Sequence, residues 1–115
     1  MKKYKVIFKE PGKEPRFEFF SNGLQFLDSK LGGKPEALKV LTEDEKKICM
    51  MFNETAVIQG LDYNFTLMVV PANKKTWIDL IGPVVVYGRD DDDNILDCPL
   101  TLEEAEGLFS EPYDE

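Results

Sequence analysis

Asp90-Asp91-Asp92-Asp93, followed by Asn94, is the densest cluster of oxygen ligands in this chain. A calcium loop of the EF-hand type needs carboxylates at alternate positions, a glycine sixth and a bidentate glutamate twelfth. Counted from Asp90, Asp92 and Asn94 fall in step, but the sixth position is Ile95 and the twelfth is Thr101, so the pattern fails. Four adjacent carboxylates repel one another, and a hairpin loop leaves them hydrated. The run therefore reads first as a solvated turn, next as a surface for a partner, and last as a cation site.

Other routes to catalysis lack their usual parts. The 115 residues include no histidine, so the commonest general base and metal ligand is missing. Cys49 and Cys98 stand alone, so a tetrahedral zinc site would have to be made of carboxylates. Serine or cysteine nucleophiles would have no imidazole partner. Paired carboxylates can cleave glycosides, but 22 acidic residues make some such pair inevitable, so a pair carries no information. No glycine-rich phosphate loop is present, because Gly32-Gly33 lacks the later glycines and the Lys-Ser/Thr pair. The residues indicate neither an enzyme nor a cofactor.

The charge is lopsided. Residues 89–115 hold 11 Asp or Glu against one Arg, a formal −10, whereas residues 1–88 sum to +2. Such a field bears on solubility and on the charge of partners, not on fold. It points to a protein partner with a basic surface and away from direct binding of nucleic acid. Lys2, Lys3, Lys5 and Lys9 are the one basic feature, and lysines on a strand commonly protect a sheet edge. A nucleic-acid face would also need exposed aromatics there, whereas Tyr4, Val6 and Phe8 look like core. A second reading is a small-molecule or nucleotide pocket with Asn73, Trp77 and Asp79 at its rim.

The elements that must position these residues follow from periodicity and turn chemistry. Tyr4, Val6 and Phe8 alternate with polar neighbours and predict a strand with one buried face. Pro11-Gly12 marks a turn, and Phe17 and Phe19 start the returning strand of a hairpin. Ser21 or Asn22 can cap a helix to about Leu31, ended by Gly32-Gly33. Leu38 and Val40 suggest a third strand, and residues 48–52 a central strand buried on both sides. Residues 56–65 read as a short strand or irregular segment before a strand over 66–70, and Trp77, Ile78, Leu80 and Ile81 read as a return to the core. Residues 83–87, with three consecutive valines, make the strongest strand, and residues 95–97 a short one. Thr101-Leu102-Glu103-Glu104 is a capping box that opens a short helix to about Phe109.

Together these predict an α+β domain over residues 1–109, with a mostly antiparallel sheet of about six or seven strands and two short helices. Residues 110–115 are expected to form a frayed acidic tail. Apolar runs such as 67–71 and 81–87 are too short to span a bilayer. Val6-Ile7-Phe8 is too short for the apolar core of a secretory signal, so a cytoplasmic protein is expected. Both cysteines should then stay reduced, with Cys49 buried. Without secretion, the tripeptides Asn53-Glu54-Thr55 and Asn64-Phe65-Thr66 are chance matches to the glycosylation pattern.

The order of motifs also resembles a known family. They are the turn Glu10-Pro11-Gly12-Lys13-Glu14-Pro15, the Leu24-Gln25-Phe26-Leu27 helix closing on Leu31-Gly32-Gly33, and Pro71-Ala72-Asn73. Asp79-Leu80-Ile81-Gly82, the strand over 83–88 and the helix start at Leu100 to Glu104 follow. This looks like a family of small domains of unknown function carried by phages and conjugative elements of Gram-positive gut bacteria. The resemblance implies a cytoplasmic accessory protein of a mobile element and carries no catalytic residue. With the acidic end, it leads to an expected non-enzymatic interaction module, with Asp90, Asp91, Asp92 and Asp93 imitating phosphate spacing as a DNA-mimic modulator of a host factor.

Overall fold

Valines at consecutive positions can all be buried only if both faces of their strand are covered. In the computed structural model, which describes residues 3–20, 30–41, 46–69, 76–92 and 94–109, this governs the central strands. Eight strands run in chain order: β1 (Tyr4–Lys9), β2 (Arg16–Phe20), β3 (Pro35–Leu41), β4 (Lys47–Asn53), β5 (Tyr63–Val69), β6 (Thr76–Ile81), β7 (Val84–Arg89) and β8 (Ile95–Leu96). One helix, α1 (Leu102–Leu108), closes the described fold. The main sheet has the order β2-β1-β7-β4-β3, with β8 also on β7, and β5 and β6 form a separate two-stranded sheet. Every pairing is antiparallel. The radius of gyration, 13.5 Å, is that of a single compact unit of this length.

The two faces of the main sheet carry different cores. Ile7, Met50, Val84 and Val86 face β5, β6 and α1, meeting Phe65, Leu67, Leu80, Ala105 and Phe109. Their neighbours Val6, Phe8, Met51, Val85 and Tyr87 point the other way, toward Leu31. The rings of Phe65 and Phe109 lie 4.5 Å apart and fix the end of α1 to β5; such pairs contribute about 0.5–1.5 kcal/mol beyond area burial. Cys98 belongs to the first core and Cys49 to the second, both buried and neither in a disulfide, so the sheet separates the two thiols.

Several expectations change. β1 is buried on both faces, since Val6, Ile7 and Phe8 are each at most 2% exposed. Eight strands stand where six or seven were expected, the addition being β6, where a stretch read only as a return to the core pairs along β5; the short β8 was expected, and its place has a physical cause. β1 pairs with β7 only from Val84 to Val86, leaving the edge at Gly88 and Arg89 for β8. There is one helix among the described residues rather than two. The expected first helix falls mostly on residues 21–29, outside them; its described end, Lys30 and Leu31, is helical. The expected tail at 110–115 also lies outside the described residues, among which no helix is long and apolar enough to cross a membrane.

Local chemistry matches its signatures elsewhere. Lys13 N–H donates to Glu10 O at 3.1 Å across Pro11-Gly12, with Gly12 at φ 73°; proline then a left-handed glycine is the type II arrangement. The capping box is complete: Thr101 Oγ1 accepts from Glu104 N–H at 3.1 Å, and Glu104 Oε1 accepts from Thr101 N–H at 3.0 Å. The β5–β6 register shifts between Tyr63 and Phe65. Beside that bulge, Asn64 donates to Lys9 O and Gly82 O and accepts from Lys9 Nζ. Asn64 is thus engaged, and Asn53 is buried, so neither offers a free amide for glycosylation.

Candidate interaction surface at the acidic end of the sheet

β7 ends at Arg89 and the chain must reverse within a few residues to start β8. Asp90 builds that reversal. Its Oδ1 accepts from Asp92 N–H and Asn94 N–H, both at 2.9 Å, and Oδ2 accepts from the Asn94 side-chain amide at 3.0 Å. Its own N–H donates to Asn94 O at 3.2 Å. The Asn94 side-chain amide, then the Asn94 backbone and Asp92, hold the Asp90 carboxyl below its ordinary range. Asp90 is therefore a brace for the turn, and the side chains that project from it are those of Asp91 and Asp92, both exposed.

The start of β4 lies against this turn. Lys47 forms an ion pair with Asp91, whose side chain is 82% exposed. The adjacent Lys46 bridges both carboxylate oxygens of Glu104 at 3.0 and 2.8 Å and reaches Pro99 O at 3.3 Å. One dipeptide thus touches both the aspartate turn and the first turn of α1, which also carries exposed Glu103. Asp97 joins the same end, its Oδ1 accepting from Lys5 N–H at 2.9 Å while Cys98 N–H donates to Lys5 O at 2.7 Å. The acidic groups are gathered and partly matched by lysines. Exposed pairs of this kind contribute little to stability, about 0–1 kcal/mol, and are screened by salt.

The other expected site residues are not gathered here. Asp93 and Asn73 lie outside the described residues, as does the side chain of Trp77, whose backbone pairs with Met68 in the β5–β6 sheet. Asp79 is on that same hairpin and takes part in a chain of its own. Tyr63 OH donates to Thr66 Oγ1 at 2.5 Å, and Thr66 donates to Asp79 Oδ1 at 2.7 Å. Among the described residues no three acidic or cysteine side chains converge as a metal-binding group. Sequence reading missed the roles of Lys46 and Lys47, which fall in what looks like a charged turn. It also missed Asn53, whose position two residues before Thr55 is a capping signal.

Acid should loosen this end. The Lys46 hydrogen bond, above all, holds the Glu104 carboxyl below its ordinary range, and Arg16 does the same for Glu10. A carboxylate with a lower pKa folded than unfolded contributes stability that is complete above the unfolded value, about pH 4. That contribution is lost as pH falls through the folded value. Thermal melts followed by circular dichroism from pH 6 to pH 2 should show Tm falling below about pH 4. The double variant Asp90→Asn with Glu104→Gln should have a lower Tm at pH 6 and a smaller fall. An equal fall in both proteins would rule out these two groups as its source.

No curated protein and no solved structure matches the chain. A family model does: DUF3846, a domain of unknown function, matches residues 1–111, so the chain belongs to the DUF3846 family.

Proposed function

We propose that the chain is a non-enzymatic protein-interaction module, and that its acidic end meets a basic surface on a protein partner. The observation that carries this reading is the turn in which Asp90 is consumed as a brace so that Asp91 and Asp92 project. Lys46 and Lys47 hold that turn beside the acidic first turn of α1. Pre-set carboxylates lose less freedom on binding than carboxylates on a loose tail. Their field also speeds encounter with a positively charged partner.

The more specific form of the proposal is a cytoplasmic accessory protein of a phage or conjugative element, acting as a DNA mimic on a host factor. Its support is the resemblance in motif order and the acid-rich segment, formally −10 over residues 89–115. The test is competition. Basic nucleic-acid-binding proteins from the host are each titrated with the chain in the presence and absence of duplex DNA. A mimic is displaced by DNA in proportion to the DNA added. Binding that DNA leaves unchanged would remove the mimic and keep the interaction module, whereas no binding at low salt would remove both.

A further inference from the structure

The main sheet has two edge strands, β2 and β3. The backbone groups that face out at each edge are set by the bonds of the neighbouring strand. Lys5 turns its peptide groups toward β8, since its N–H donates to Asp97 Oδ1 and its O accepts from Cys98 N–H. Alternation along β1 then directs Tyr4, Val6 and Phe8 to β2, where they face Phe20, Glu18 and Arg16. The peptide groups of Phe17 and Phe19 therefore point outward, and no strand meets them among the described residues. At the other edge, Glu54 N–H donates to Lys34 O, so Pro35, Ala37 and Lys39 face out from β3. That edge carries a proline without an N–H and an exposed lysine, both of which discourage pairing. Within β2 neither guard is present: its outward positions are two phenylalanines, and Phe19 is 63% exposed. The lysines of β1 guard no edge, because β1 is an interior strand.

We infer that β2 pairs with β2 of a second copy of this chain, antiparallel and centred on Phe17, joining two sheets into one. A row of outward N–H and C=O groups is satisfied by an extended strand, so the occupant is a strand. The charges of β2 select another β2. Arg16 and Glu18 stand two apart on one face of the strand, opposite in sign. An antiparallel copy centred on Phe17 sets Arg16 against the second copy's Glu18, and by symmetry does so twice. These are the non-hydrogen-bonded positions of the new ladder, where side chains approach most closely. Arg16 donates through Nε to Glu18 and through Nη1 to Glu10, which leaves Nη2 for the second copy. On the other face the two Phe17 rings meet, and each Phe19 lies diagonal to the opposite Phe17, which covers the exposed ring. A register centred on Glu18 would instead set two like charges against each other. Five residues of strand bury less than a standard interface, so the dimer is weak and forms at high concentration. The acidic turn follows β7, two strands in from this edge, and stays open to a different partner.

Sedimentation velocity of the purified chain from about 10 μM to 1 mM, the range of weak association, tests this. Wild type should pass from monomer toward dimer across the range, and Phe19→Lys, which places a lysine on the edge, should stay monomeric. Arg16→Glu and Glu18→Arg, each shown to be folded by circular dichroism, should also stay monomeric. Their equimolar mixture should dimerise, since the two swaps complement each other across the joint. Hydrogen exchange of wild type adds a reading that needs no substitution. The Phe17 and Phe19 amides should exchange about threefold or more slower at the top concentration, while Glu18, already turned to β1, should not change. Wild type that is monomeric throughout overturns the inference, as does a Phe19→Lys protein that dimerises equally. A mixture of folded charge variants that stays monomeric overturns it too. Slowed exchange at Ala37 instead overturns it in favour of the β3 edge. Slowed exchange at Phe17 and Phe19 only when a protein from the competition assay is added overturns it in favour of a strand from that protein.

Discussion

Gly88→Val should lower unfolding free energy by about 3 kcal/mol or more, enough to leave a marginal domain largely unfolded. A Cβ at position 88 would stand 2.4 Å from Asp97 O, 3.3 Å from Asp97 C and 3.2 Å from Pro99 Cδ. The nearest atoms are backbone, so no rotamer change relieves the clash. β8 must move off β7, losing the pairs Gly88 with Leu96 and Arg89 with Ile95. Gly88→Ala meets the same oxygen and should lose about 2 kcal/mol, within the range of forced overpacking. Urea unfolding of the three proteins measures this. In Gly88→Ala, faster hydrogen exchange at residues 95–98 would show that the end of the sheet carrying the aspartate turn has opened. A Gly88→Val protein within about 1 kcal/mol of wild type would contradict the close crossing.

The second large effect is at Asn53, which is 2% exposed. Its side chain donates to Leu31 O and to Gln59 Oε1, the latter at 2.5 Å, and accepts from both Thr55 groups. Asn53→Ala removes all four bonds and leaves Leu31 O without that donor. The loss should be about 3 kcal/mol, since abandoned buried polar groups cost about 1–3 kcal/mol each. Gly33 supplies an internal check. A Cβ there would lie 2.5 Å from Asn53 Oδ1 and 2.8 Å from Cγ and Nδ2. Gly33→Ala alone should therefore destabilise by about 2 kcal/mol, but by under about 0.5 kcal/mol when Asn53 is already alanine. A cycle with no coupling would mean that the two residues do not share this space.

Local chemistry was the legible part of the fold. Three consecutive valines, 84 to 86, and the dense run 48–52 announce strands covered on both faces, and β7 and β4 are two of the three inner strands of the sheet. Pro11-Gly12 and the Thr101 to Glu104 box depend on residues within four positions of each other, so their geometry follows from sequence. β1 misled because its lysines at 5 and 9 suggest a wet face. Lys5 instead lies over the Phe17 ring, its Nζ 4.6 Å from the centroid, and Lys9 reaches Asn64. Long aliphatic stems let lysine flank a buried strand. Residues 54–60 were opaque because two short caps make the turn without any apolar periodicity.

The candidate site was half legible. Charge counting finds the acidic end, but not the adjacent lysines that match part of it, because β4 joins the end only through non-local pairing. Nor does it show that Asp90 serves the turn. The position of β8 and the need for glycine at 88 arise from a crossing that no local pattern encodes.

The measurement that bears most directly on the acidic end is the salt dependence of affinity for a basic partner recovered by the competition assay. Wild type is compared with the triple variant Asp91→Asn, Asp92→Asn, Glu103→Gln, which gives up the Asp91–Lys47 pair but keeps Asp90, the brace of the turn, and Glu104, the helix cap. Wild-type affinity should fall about tenfold or more between 50 and 200 mM salt, as exposed charges are screened. The variant should bind at least about tenfold more weakly at 50 mM salt, with a shallower dependence. Equal affinity and equal slope would contradict the assignment of the acidic end as the interaction surface.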